Sequence, residues 1–241
     1  MSPTIYTSFT HFGHALALPT MAQNPTEPNV LERFVTLFQG WLVRQQSFLE
    51  QLHHSISSES ANEVNQQKSL IVQVLAHYQE YYEEKEKLAR QDVFLLFCPP
   101  CLSSFERTLL WAAGYKPSLI LRIVDGAVKD LTDEQTRRME EGKAETKNGE
   151  KELTETLARL QQSVAAPPMV ALARRIGRIM GGEISSLDSA IEALKTSMLR
   201  VLEDADSLRK STVSKVVEIL SPVQTLKFLA AAAQFQLQVR R

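Results

Sequence analysis

Apolar residues recur at three- and four-residue steps along nearly the whole chain beyond its first 28 residues. Val30, Phe34, Leu37, Phe38, Trp41, Leu42, Phe48, Leu49 and Leu52 form one such stripe. They predict a helix from about Asn29 to Ile56 with one face toward a core. Gly40 interrupts it and predicts close packing by a neighbour. Ser55–Ser60 reads as a loop. A second helix is expected from Asn62 to Gln91, with Leu70, Val74, His77, Tyr78 and Tyr81 on one side and the charged run Glu83–Lys87 at its end. Ser103 followed by Glu106 is a capping box, and Gly114 stands where a C′ residue belongs, so a short helix is predicted over Ser104–Ala113. Phe105, Leu109 and Ala112 would share its face. Pro117 can open a further helix to about Val128.

Thr132 and Gln135 form a second capping box. It precedes a segment, Asp133 to Glu155, in which 13 of 23 residues are charged in both signs, the pattern of a solvated face. Gly142 and Asn148-Gly149 could kink or break this helix, which resumes at Leu153 and stops at Pro167-Pro168. A shorter helix, Met169–Met180, is followed by a Gly181-Gly182 turn. Leu187, Ile191, Leu194, Met198, Val201, Ala205 and Leu208 then alternate steps of four and three, a coiled-coil-like stripe best suited to an internal bundle helix. Two more helices are expected, Ser211–Leu220 and Pro222–Arg240. In the second, Ser221-Pro222-Val223-Gln224 combines a capping box with Pro at N1. No run of alternating strands and no fixed-period repeat stands out. The predicted fold is an all-α, multi-helix bundle with long antiparallel helices. A 1–28 tail would precede a 29–241 domain, with possible sub-halves 29–166 and 167–241.

Composition narrows the function classes. The chain has 241 residues, 27 Lys+Arg against 28 Asp+Glu, and two cysteines. The balanced charge gives no general drive toward nucleic acid or anionic membrane. Two cysteines exclude a disulfide scaffold and cannot alone fill a four-ligand zinc site. No apolar stretch approaches the length of a membrane span. The first 28 residues hold no Lys or Arg, which argues against secretory and mitochondrial leaders. A soluble, intracellular protein is expected.

Candidate chemistry is sparse. Cys98-Pro99-Pro100-Cys101 has redox spacing, but a thioredoxin-like centre needs a sheet that the pattern does not supply. His53 and His54 point about 100° apart on a helix and cannot share a metal. His77 reads as a hydrogen-bonded core histidine. No nucleophile triad, phosphate loop or carboxylate pair appears, so no enzyme activity is expected. Arg174, Arg175 and Arg178 form a candidate basic contact patch, too small for tight nucleic-acid binding.

Four stretches carry a family resemblance: Phe34 with Phe38-Gln39-Gly40-Trp41 and Leu49-x-x-Leu52; Phe97-Cys-Pro-Pro-Cys-Leu-Ser-Ser-Phe-Glu-Arg-Thr-Leu-Leu-Trp-Ala-Ala-Gly-Tyr-Lys-Pro-Ser; Leu131-Thr-Asp-Glu-Gln; and Leu220-Ser-Pro-Val-Gln-Thr-Leu-Lys-Phe-Leu-Ala-Ala-Ala-Ala-Gln-Phe-Gln-Leu. Together they resemble the plant delay-of-germination (seed dormancy control) domain, which also lies C-terminal to the basic zipper of TGA-type transcription factors. The motif positions are Trp41, Pro99, Pro100, Leu102, Ser103, Glu106, Arg107, Trp111, Gly114, Pro117, Pro222 and Gln224, expected to serve fold or interaction. Cys101 replaces the family's usual Trp, and Ala112-Ala113 its Ile-Gly. No basic region or zipper precedes Val30, so direct DNA binding is not expected.

The resemblance implies a regulatory protein of plant development or hormone response, acting through protein–protein contacts in the nucleus, the cytoplasm or both. Type 2C protein phosphatases and bZIP factors are implied partners, and a homodimer is a further option. A DNA-binding or zipper-partnered transcription factor, and a lipid or haem sensor, are the alternatives. Some members hold haem through C-terminal histidines, but here no histidine follows His77. A TGA-type domain encloses a fatty acyl chain; the apolar interior here could do the same, although no residue identifies the site.

Overall fold

The computed structural model describes residues 29–57, 63–165 and 184–240. Within them lie eight helices and a two-residue-per-strand hairpin. Helix α1 spans Val30–Ser57 and α2 Glu63–Ala89. The short helices α3 (Val93–Phe97) and α4 (Ser104–Leu109) follow, then strands β1 (Leu110–Trp111) and β2 (Gly114–Tyr115). Helix α5 is Pro117–Ala127, α6 Asp133–Ala165, α7 Ile184–Ile219 and α8 Pro222–Val239. The fold is all-α, as the apolar periodicity predicts.

Helices α6 and α7 are the long antiparallel pair, 33 and 36 residues. At 1.5 Å per residue each runs about 50 Å. Thr146 meets Thr212 between them, and Gln135 near the start of α6 donates to the Ile219 carbonyl at the end of α7 (2.8 Å). Helices α1 and α2 form a second pair, and α8 packs across α1, α2 and α5.

Two apolar clusters fill the interior. One joins Phe34, Leu96, Trp111, Leu157, Met198 and Leu202; the other joins Leu52, Val124, Met139, Val216, Leu226 and Leu229. Full burial of such a side chain contributes about 1.5–3 kcal/mol, so these rows, rather than helix propensity, hold the bundle.

Several expectations change. The helix predicted over Ser104–Ala113 ends at Leu109. Ala112 and Ala113 adopt positive φ (47° and 58°), and Gly114 enters a strand instead of closing the helix. Phe105 is consequently 60% exposed, whereas Trp111 is buried. Gly142 and Asn148-Gly149 leave α6 unbroken, and at Gly149 the helix packs so closely on α7 that a Cβ would stand 3.0 Å from Leu208. The break anticipated at Ser211 is absent too: the Ser211 hydroxyl donates to the Leu208 carbonyl (3.0 Å) and α7 continues. No neighbour crowds Gly40, whose nearest contact would be Arg44 at 3.9 Å. Helix α1 extends to Ser57, past the predicted start of the loop. The Met169–Met180 helix, the Pro167-Pro168 stop and the Gly181-Gly182 turn lie outside the described residues, as does the 1–28 tail.

A candidate interhelical cavity and the motif that walls it

The signature segment folds by local rules first. Asp92 caps α3 by accepting from the Leu95 amide (3.1 Å). Pro99 and Pro100 end that helix, and Ser103 opens the next. Its hydroxyl accepts from the Glu106 amide (3.1 Å), while the Glu106 carboxylate accepts from the Ser103 amide (2.6 Å). Glu106 is buried and has a second task. Arg240, at the far end of the chain, donates to its carboxylate (3.0 Å) and to the Cys101 carbonyl (3.0 Å), with its guanidinium 5.5 Å over the Phe38 ring. The end of α8 is thereby tied to the Pro-Pro turn and to α1.

The hairpin is held from elsewhere. Arg209 on α7 donates to the carbonyls of Tyr115 (2.7 Å), Ala112 (3.0 Å) and Trp111. Its guanidinium also lies 5.5 Å over the Trp111 ring, whose indole nitrogen donates to Thr154 (3.2 Å). Arg209 is 3% exposed and is paired with Asp206 (2.5 Å). Asp206 in turn accepts from Lys85 on both oxygens (2.9 Å each). Lys85, within the charged run at the end of α2, is only 1% exposed. Burial pulls its pKa down to about 8, against the opposing pull of Asp206. Such a buried triad stabilises only when every charge is partnered, and here each one is.

Between these walls lies a cavity of about 710 Å³, bounded by α1, α2, α5, α7, α8 and the hairpin. Phe34, Phe38, Trp41, Tyr81, Phe228 and Phe235 make it largely apolar, and Lys85, Arg209, Lys210 and Glu218 are its charged lining on α2 and α7, the first two already paired with Asp206. Burial raises the pKa of Tyr81 and Tyr78, and that of Tyr82 to about 12, so all three are neutral donors near pH 7. The volume suits a drug-sized or acyl-chain ligand.

Beside the cavity sits a different kind of polar cluster. His77 stacks on Trp41 (5.2 Å, 9°) and against Phe48 (5.1 Å). Neither of its ring nitrogens has a partner, nor does the Trp41 indole nitrogen or the Gln45 side-chain oxygen. The expectation of a hydrogen-bonded core histidine is therefore corrected. Apolar rings seal His77 off, and burial, with the Arg44 charge second, lowers its pKa to about 4. The Gln45 amide does find Tyr78 (2.5 Å) and Gln236 (2.6 Å).

Nine of the twelve motif positions fall into two groups. Trp41, Pro99, Leu102, Glu106 and Gly114 line the cavity. Ser103, Pro117, Pro222 and Gln224 serve helix starts, and Gln224 also binds the Asp130 carbonyl (2.9 Å). Arg107 reaches back toward the Ser103 carbonyl (3.5 Å), and Pro100 is exposed. Cys98 and Cys101 are free thiols, and burial raises the pKa of Cys101. Arg174, Arg175 and Arg178 lie outside the described residues. Among the described residues no group of three or more His, Cys, Asp or Glu could hold a metal, and no helix is long and apolar enough to cross a membrane.

Sequence reasoning missed Lys85, Asp206 and Arg209. The signal for Asp206 and Arg209 is a second stripe on α7, Met198–Leu202–Asp206–Arg209, which continues the buried row through charged residues.

Comparison with known proteins decides the family. A family model described as seed dormancy control matches residues 48–125, which include the whole signature segment. Protein RESPONSE TO ABA AND SALT 1 of Arabidopsis thaliana is 40% identical over 87% of this chain and 94% of its own length. The chain belongs to the seed dormancy control family. Protein DOG1-like 4 of Arabidopsis thaliana is a further relative of this dormancy-control type, 33% identical over 88% of the chain and 92% of its own length. Transcription factor TGA5 of the same plant is 25% identical over 84% of the chain, which spans 61% of that factor. In this dormancy-control chain the family segment is thus also the wall of the cavity.

Proposed function

We propose that this chain is a non-enzymatic regulatory protein of plant hormone response or development that works by protein–protein contact in the nucleus, the cytoplasm or both. The observation that carries the reading is its similarity, over 87% of the chain, to a protein named for its response to ABA and salt. The partners proposed are regulatory proteins, with type 2C protein phosphatases and bZIP factors first. The TGA relatives, whose shared segment is this domain, support the second of these. Nothing within the 241 residues supplies a Lys/Arg-dense helix of the kind that grips DNA. Affinity capture from plant extract with the full chain as bait, followed by mass spectrometry, tests the reading. Recovery of a phosphatase or a bZIP factor supports it; recovery of neither, with DNA carried down in their place, overturns it.

A second reading rests on the cavity: it holds an apolar ligand with an anionic head, such as a fatty acid. The residues fit that group, since Trp41, Tyr81 and Phe235 offer apolar walls and Lys210 offers charge. Haem does not fit. His77 is sealed by Trp41 and Phe48 and does not line the cavity. Native mass spectrometry of the purified chain distinguishes a retained acyl ligand from the bare mass.

A further inference from the structure

The two ends of the cavity differ in chemistry. Its wall follows α2 from Val72 to Lys85, about 20 Å. Lys85 meets Asp206 and Lys210 lies 5.3 Å over the Tyr82 ring, so α2 and α7 run antiparallel along it. One end is aliphatic, with Val72, Leu75 and Ala76 of α2 and Val213 and Val217 of α7. The other is formed by Tyr81, Tyr82, Tyr115, Lys116, Arg209 and Lys210.

The polar end carries donors with nothing to donate to. Among the described residues the hydroxyls of Tyr81, Tyr82 and Tyr115 make no hydrogen bond, and Lys116 and Lys210 have no ion-pair partner. Unlike the ring nitrogens of His77, none of these oxygens is fully enclosed. Burial raises the pKa of Tyr81, and Asp206, Tyr82 and Tyr115 raise it further, so these groups stand in one another's field. Burial also pushes Tyr115 up to about 12, which keeps it a donor at neutral pH.

Charge is unbalanced at the same end. The charged lining residues and their ion-pair partners comprise five cations, Lys85, Lys116, Arg209, Lys210 and Arg240, against three anions, Glu106, Asp206 and Glu218. Arg240 takes Glu106, while Lys85 and Arg209 share Asp206. Glu218 stands two turns beyond Lys210 on α7, about 12 Å toward the aliphatic end. Two positive charges are left over, and the cations that supply them gather among the tyrosines. A carboxylate would bring one charge and two oxygens to this place. A phosphate monoester brings about −1.5 to −2 near pH 7 and three acceptor oxygens. Phenol and ammonium donors bind such an anion through charge-assisted hydrogen bonds, about twice as strong as neutral ones. Hydrocarbon pressed against the same hydroxyls would leave them desolvated and unpaired.

On the reading that the cavity holds an apolar ligand with an anionic head, we propose that the head is a phosphate monoester held by Lys210 and the hydroxyls of Tyr81, Tyr82 and Tyr115. Its single apolar chain lies between α2, α5, α7 and α8, as that of a lysophosphatidate would. Lys85 and Arg209 contribute field rather than contact, because Asp206 and the hairpin carbonyls already occupy their donors.

Isothermal titration of the full chain with three probes below their micelle-forming concentrations tests this: oleoyl lysophosphatidate, oleate and monooleoylglycerol. The chain is common to all three, so differences report the head. Lysophosphatidate is expected to bind at least about tenfold more tightly than oleate. Tyr81→Phe/Tyr115→Phe and, separately, Lys210→Gln are each expected to shrink that preference to about threefold or less, with monooleoylglycerol binding held within about twofold as the sign of an intact cavity. Glu218→Gln, at the aliphatic end, is expected to leave the preference unchanged. Oleate bound as tightly as lysophosphatidate overturns the proposal and leaves the acyl-ligand reading standing, as does a preference that both head-site variants keep in full. Binding of none of the three probes overturns the proposal and the acyl-ligand reading together.

Discussion

Two buried polar regions flank the cavity, and they are built on opposite principles. Around Arg209, three ionised side chains and three backbone carbonyls satisfy one another. Around His77, the four buried side-chain atoms without partners, on Trp41, Gln45 and His77, are packed among aromatic rings. The first arrangement forces a local conformation that its sequence resists, since alanines adopt positive φ at a cost of order 1 kcal/mol or more each. The second forces nothing and costs stability, about 1–3 kcal/mol for each unsatisfied group. Burial of polar groups is therefore not one effect: its sign depends on whether partners are present.

The contrast predicts opposite responses to removal. Asp206→Ala strips the counter-charge from two buried cations and should cost about 3–5 kcal/mol in urea unfolding; a loss under 1 kcal/mol would mean that the triad is not needed. His77→Leu should be neutral or stabilising near pH 7, because two orphaned nitrogens disappear.

His77 also fixes a pH window. Its folded pKa, about 4, lies below the ordinary 6.5. The unfolded chain therefore binds more protons between those values, and stability is full above pH 6.5 and falls as pH drops toward 4. Unfolding midpoints taken at intervals from pH 7 to 4 should fall less steeply in the Leu variant, and parallel curves would refute the assignment.

Gly114→Ala is the next smaller change. A Cβ there would stand 2.9 Å from the Arg209 guanidinium carbon, so the hub must shift, at about 1–3 kcal/mol. Thermal melts would detect it, and an unchanged melting temperature would show that the hairpin tolerates displacement. Ser221→Ala is the smallest. It removes the hydroxyl that caps α8 through the Gln224 amide (3.3 Å), about 1 kcal/mol. A loss above 3 kcal/mol would indicate a role beyond capping.

The same division separates what is legible in the amino-acid order from what is not. The boxes Ser103/Glu106, Thr132/Gln135 and Ser221/Gln224 each close within three residues, so spacing alone reveals them. The rows of α1 and α7 are legible because one helix periodicity governs all their members. The hairpin is not. Leu-Trp-Ala-Ala-Gly reads as a helix end, and Arg209, 97 residues away from Ala112, overrides that preference. Lys85 is hidden inside a charged run, where only its four-residue step from Tyr81 marks it as inward-facing. The cavity is less legible still, because it arises where helices distant in sequence fail to meet. The family motif was readable as a motif, but which of its residues wall a cavity and which merely start helices depends on contacts far apart in sequence.

The most direct test of the account is a titration of the purified full chain against duplex DNA at 50 mM and 200 mM salt, run beside a titration against a purified type 2C phosphatase. A protein that works by protein contact should bind the phosphatase saturably and show no salt-dependent affinity for the duplex. Duplex binding that weakens steeply between the two salt concentrations, with no phosphatase binding, would contradict it.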